Sequence, residues 1–127
     1  MQWGIDNRSC GLRVPVSNAA GRRIENRLAG ADANPYLAMA ATLVCGYIGM
    51  TERLKPSNQI EGSAYRMPHT LPKTAYEALT RFTACKPIKP LLGEKFIQAL
   101  YVVKTAELAA YQNVISSWER EHLLLNV

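Results

Sequence analysis

Apolar and polar positions divide the 127-residue chain into a short alternating region and a longer helical one. Leu12-Arg13-Val14-Pro15-Val16 alternates, and so does Arg23-Ile24-Glu25-Asn26-Arg27-Leu28. A period of two predicts half-buried strands. The turn-rich Ser17-Asn18-Ala19-Ala20-Gly21 between them predicts a hairpin. If residue 16 pairs with residue 22, Arg13 lies opposite Glu25. Leu12, Val14, Val16, Ile24 and Leu28 then share an apolar face, and Arg13, Arg23, Glu25 and Arg27 share the other. A one-residue slip would mix the faces, so the pattern itself supports the register.

Asn34-Pro35 supplies an N-cap followed by a proline suited to the first helical position. The run to Met50 is nearly apolar all round, which predicts a buried helix. Thr51 to Leu71 holds Pro56, Gly62 and Pro68 and reads as a long loop. Thr74 and Glu77 fit a capping box ahead of Ala75, Ala78, Leu79 and Phe82. Pro87 and Pro90 should break that segment. A longer helix is expected next, with Phe96, Leu100, Val103, Ala110 and Val114 on one stripe. Ser116 and Glu119 should cap a final short helix that leads into Leu123-Leu124-Leu125. The expected fold class is α+β: an N-terminal β-hairpin, then a mostly helical C-terminal region.

Composition adds limits. A hydrophobic share of 48% and a charged share of 20% describe a globular chain, not a disordered one. The net charge of +5 is modest and does not demand nucleic acid. Cys10, Cys45 and Cys85 are few and far apart, so neither a disulfide framework nor a zinc motif is visible. Met1-Gln2-Trp3-Gly4-Ile5-Asp6 has no signal-peptide pattern, and the expected setting is cytoplasmic and reducing. The longest apolar stretch, Pro35 to Met50, has 16 residues, short of the roughly 18–20 that span a bilayer.

Residues 1–30 hold five arginines, no lysine and two acids. Arginine without lysine suits planar, bidentate recognition of anions. In Arg23-x-Glu25-x-Arg27, charged groups recur about every 7 Å along one strand face. Two guanidiniums keep a carboxylate ionised, and an ionised glutamate can ligate Mg²⁺ or Mn²⁺. The pattern therefore admits a seat for a metal-bound phosphate and an anionic substrate. On pattern alone, a solvated strand with ordinary cross-strand pairing is the commoner outcome.

Three motifs narrow this choice. Asn7-Arg8-Ser9-Cys10-Gly11-Leu12-Arg13-Val14-Pro15 resembles the N-R-S-x-x-x-R-[IV]-P segment of the glutamine synthetase family. Arg23-Ile24-Glu25-Asn26-Arg27 resembles its R-I-E-x-R strand, and Asp32-Ala33-Asn34-Pro35-Tyr36-Leu37 its A-N-P-Y-L helix start. They stand in family order with family-like spacing. The later helices also resemble the family's C-terminal region, and Val114 to Leu125 looks most like its γ-glutamylputrescine synthetase branch. Cys10-Gly11 stands where the family often has Ala-Ser, and Asn26 replaces a commonly apolar residue. Asn26 should turn to a neighbouring strand or to water.

The resemblance implies an ATP-dependent ligase. It would phosphorylate the γ-carboxylate of glutamate, after which ammonia or an amine such as putrescine displaces phosphate. Arg8 resembles the catalytic arginine at the γ-phosphoryl group. Arg13 and Arg23 match nucleotide-binding positions, Glu25 a Mg²⁺ or Mn²⁺ ligand, and Arg27 the arginine that binds substrate glutamate. The family's other metal ligands and its N-terminal β-domain are absent, and neither His69 nor His122 is placed to replace them. Residues 1–127 are therefore expected to be the C-terminal portion of a catalytic domain, with an active-site hairpin in 1–30 and a helical region in 31–127. Alone the chain should be inactive. Its partners would be the rest of the catalytic chain and neighbouring subunits of a homo-oligomer, with no nucleic acid and no membrane. The tail from Leu123 to Val127 would pack on its own helices or on another subunit. Ser63-Ala64-Tyr65-Arg66-Met67-Pro68 loosely resembles a segment whose tyrosine is adenylylated in some bacterial members, against an ordinary loop tyrosine. Two other readings stand beside the ligase. One is a non-catalytic helical interaction module, and the other is an arginine-rich nucleic-acid-binding ribbon. Glu25 amid the arginines, and no interleaved aromatics, argue against the ribbon.

Overall fold

The computed structural model describes residues 2–68 and 71–125. His69 and the last two residues of the tail, Asn126 and Val127, lie outside them. The chain forms two compact units, Met1–Leu71 and Pro72–Val127.

The first unit holds a three-stranded sheet in the order β1-β2-β3: β1 (Trp3–Ile5), β2 (Leu12–Val14) and β3 (Glu25–Asn26). β2 and β3 are antiparallel, with Leu12 opposite Asn26 and Arg13 opposite Glu25, as the alternation requires. The ladder is shorter than expected. Pro15 has no N–H to continue it, and Asn18 caps a 3₁₀ turn at Ala19–Gly21 instead.

The hairpin is not the whole sheet, because β1 pairs parallel to β2. Three residues are too few for a periodic signal, so the sequence did not announce this strand. Parallel neighbours usually need a connection of about a dozen residues. Here the strands are only three residues long, and residues 6–11 suffice for the return. Asp6 opens that return with a left-handed φ of 49°, a conformation that Asp adopts more readily than most residues.

Helix α1 (Pro35–Thr51) begins where its cap predicts. Asn34 Oδ1 accepts from the N–H groups of Tyr36 and Leu37 at 3.0 and 3.2 Å. The expectation that this helix is buried is wrong for this chain. No residue of α1 is buried, and Leu43 and Met50 are each 73% exposed. The apolar hairpin face is likewise open, with Val16 77% and Ile24 66% exposed. The reason is surface supply. Three short strands and a loop cannot enclose a 17-residue helix that is apolar on every side. Asn26 turns to α1 and to its own strand's continuation. Its Nδ2 donates to Thr42 Oγ1 on α1 at 2.9 Å, and its Oδ1 accepts from Leu28 N–H at 3.0 Å.

The second unit is helical. α2 (Ala75–Ala84) is capped by Thr74, whose Oγ1 accepts from Glu77 N–H at 3.1 Å. The return bond of the expected capping box is displaced by one residue: Glu77 Oε2 accepts from Lys73 N–H. Pro87 and Pro90 do not simply interrupt the chain. Each sits at the start of a new turn, a 3₁₀ turn at Lys86–Ile88 and helix α3 (Lys89–Leu92), where a missing N–H is tolerated. Gly93, at φ 81°, separates α3 from α4 (Glu94–Gln112).

The expected stripe on α4 holds at Leu100 and is corrected elsewhere. Val103 is half exposed and Val114 lies beyond the helix, whereas Ile97 is buried. Leu100 and Leu108 turn inward beside Ala75, Leu79 and Phe82 of α2. Spacing finds an amphipathic helix but cannot choose between two adjacent apolar lines. α5 (Ser117–His122) carries the complete capping box expected of Ser116 and Glu119. Leu124 and Leu125 beyond it are exposed. No helix among the described residues is long and apolar enough to cross a membrane.

Candidate functional site

The strand register places Arg13 and Glu25 side by side, and their side chains follow. Arg13 Nη1 donates to Glu25 Oε2 at 2.7 Å, and Arg23 Nη2 donates to Glu25 Oε1 at 3.0 Å. Arg13 Nη2 also donates to Asp6, at the turn after β1. One carboxylate thus receives two guanidiniums, and one guanidinium joins two carboxylates. Arg13 is the more enclosed, and its Nε is buried with no hydrogen-bond partner among the described residues. The Glu25 carboxyl is held below the usual carboxylate range, first by the hydrogen bond from Arg13 and further by that from Arg23, against partial desolvation. Glu25 is therefore ionised at neutral pH.

Arg8 and Arg27 occupy a different place. Arg27 lies past the end of β3, where its N–H donates to Gly11 O at 2.9 Å. Both arginines line a cavity of about 280 Å³, together with Cys10, Tyr65 and Met67. Neither takes part in an ion pair among the described residues. The five residues named from sequence thus divide into a paired network of Arg13, Arg23 and Glu25, and a cavity pair of Arg8 and Arg27.

Three neighbours were not singled out from sequence: Asp6, Asn7 and Ser9. Asp6 balances Arg13. Asn7 and Ser9 flank Arg8 and bond to the loop at residues 60–64, which lies more than 50 positions away. Their presence inside the N-R-S segment was the available signal.

Among the described residues, no group of three or more His, Cys, Asp or Glu gathers to hold a metal ion. Glu25, ionised and fixed, fits as one hard oxygen ligand of a larger set and not as a site alone. His122 stacks on Trp118 at 4.7 Å between ring centroids, and its Nδ1 lies 3.0 Å from Trp118 O. Tyr65 is largely exposed in a 3₁₀ turn at Ala64–Arg66.

The family model described as "Glutamine synthetase, catalytic domain" matches residues 1–123. The chain is 32% identical to a glutamate–isopropylamine ligase of a Pseudomonas species, over 92% of the chain and 26% of that protein. It is 34% identical to the γ-glutamylputrescine synthetase PuuA of Escherichia coli, over 98% of the chain and 26% of that protein. A solved structure described as "Apo GmaS without ligand" superposes with a TM-score of 0.81 at 28% identity, covering 98% of this chain and 30% of that one. The chain thus spans between a quarter and a third of the length of these relatives.

Proposed function

The chain belongs to the glutamine synthetase family, and from that membership we propose that it forms the C-terminal portion of the catalytic domain of an ATP-dependent ligase. The ligase joins the γ-carboxylate of glutamate to ammonia or to an amine such as putrescine. The relatives named for isopropylamine and putrescine support an alkylamine acceptor. The observation that carries the reading is the division of arginines: a Glu25-centred network, and a cavity lined by Arg8 and Arg27, which make no ion pair among the described residues.

In this reading Arg27 binds the glutamate carboxylate, and Arg8 neutralises the phosphoryl group as it passes to the γ-carboxylate. Guanidiniums present paired N–H donors that match both anions. Arg13 and Arg23 face the nucleotide phosphates. Glu25 would supply one ligand to Mg²⁺ or Mn²⁺, whose chemistry is charge neutralisation on the phosphates. Phosphoryl transfer depends chiefly on positioning and charge stabilisation, and this residue set is suited to both. The remaining metal ligands come from the rest of the catalytic chain. Upstream segments and neighbouring subunits cover α1 and the open hairpin face, and the enzyme works in the cytoplasm.

The test has two arms. The purified 127-residue chain should not hydrolyse ATP in a glutamate- and amine-dependent way. The complete enzyme should do so with putrescine or ammonia, and Arg8→Ala should lower its turnover far more than its stability. An active isolated chain, or an Arg8→Ala enzyme with unchanged turnover, sinks the proposal. A second reading, a helical interaction module without catalysis, draws on the exposed apolar length of α1. Co-purification with the missing catalytic portion without restored activity would favour it.

A further inference from the structure

Arg8 is flanked by two side chains that bond to each other and to backbone groups of a distant loop. Asn7 Nδ2 donates to Gly62 O at 2.7 Å and to Ile60 O at 3.3 Å. Asn7 Oδ1 accepts from Ser9 N–H at 3.0 Å and from Ser9 Oγ at 2.7 Å. Ser9 Oγ in turn accepts from Ala64 N–H at 2.8 Å. Asn7 therefore uses both donors and its acceptor, and the hydroxyl of Ser9 is engaged as both donor and acceptor.

These bonds join the turn that carries Arg8 to the loop that carries Tyr65, and both residues line the same cavity. Two further backbone contacts continue the seam, Ile60 N–H to Trp3 O at 2.9 Å and Trp3 Nε1 to Ser57 O at 2.6 Å. Gly4 leaves the room. A Cβ at that position would stand 2.8 Å from Asn7 Cβ and 3.1 Å from Ile60 O.

We propose that Asn7 and Ser9 are positioning residues for the Arg8 cavity: they staple the loop at residues 60–64 against the Arg8 turn and so set the cavity's width. The proposal rests on the reading of Arg8 and Arg27 as glutamate-side residues. Chemistry favours a staple over direct binding, because every polar atom of the two side chains already has a protein partner. A loop so distant in sequence has no local means to hold that wall, and small displacements of a binding group are costly to catalysis.

The experiment pairs a structural readout with a kinetic one. In the 127-residue chain, Ser9→Ala should speed hydrogen exchange at the Ala64 amide by about fivefold to tenfold, the scale of one lost hydrogen bond. Amides of α1 should not change, and Ser9→Thr should restore protection. In the complete enzyme, Ser9→Ala and Asn7→Asp should raise KM for glutamate by roughly tenfold with KM for ATP unchanged. Ser9→Thr should return it to near the parent value. A general loss of folding would not separate the two KM values. Unchanged Ala64 exchange overturns the staple, and faster exchange with an unaltered KM for glutamate overturns its role in the cavity. An Arg8→Ala enzyme with normal kinetics would instead refute the assignment of Arg8, while Ala64 exchange still judges the staple.

Discussion

Arg13 and Glu25 stand opposite each other in the β2–β3 ladder, and the same pairing brings Arg13 Nη1 to 2.7 Å from Glu25 Oε2. A backbone register has thereby become a charge contact. The carboxyl of Glu25 titrates below its unfolded value of about 4.3. Its stabilising effect is complete above that value and is lost as pH falls through the lower folded value. Resistance of the parent to chemical denaturant should fall as pH drops below about 4.3, and Glu25→Gln should flatten part of that decline. Identical slopes for both proteins would show that the pair does not couple to folding.

Gly4 and Gly46 make opposite predictions for one substitution. Alanine at Gly4 would press on Asn7 and on the Ile60 carbonyl, so Gly4→Ala should cost about 1–3 kcal/mol. Gly46 lies within α1 with nothing within 4 Å of an added Cβ, so Gly46→Ala should stabilise the chain by about 0.5–1 kcal/mol. Thermal unfolding of the 127-residue protein reads both. Equal effects would contradict the close approach at Gly4.

On α4, Ile97 is 5% exposed and Val103 is 52% exposed. Ile97→Ala should cost about 2–5 kcal/mol, and Val103→Ala less than about 1 kcal/mol. Denaturant midpoints that reverse this order would mean that the sequence stripe through Val103, not the line through Ile97, faces inward.

Asn26 and Thr42 link β3 to α1 through one side-chain hydrogen bond. A double-mutant cycle to alanine should give a coupling of about 0.5–1 kcal/mol, as befits an exposed neutral pair. Zero coupling would mean that water serves Asn26 equally well.

Much of this protein is legible locally. Asn34 and Ser116 announce their helices because a cap satisfies N–H groups two or three residues away. The hairpin register follows from alternation, because a slip would exchange its two faces. The three motifs within residues 7–37 identify the family, because each keeps its order and spacing.

Tertiary structure decided the rest. Nothing near residue 3 tells β1 to pair with β2, and nothing near Asn7 names Gly62, 55 positions away, as its partner. Local propensity acts over about one helical turn, whereas such partners are chosen by the whole packing. The same limit explains the misjudged helices. Composition states that α1 can be surrounded and that α4 has an apolar side. Only packing determines that α1 stays open here and that Ile97, not Val103, turns inward.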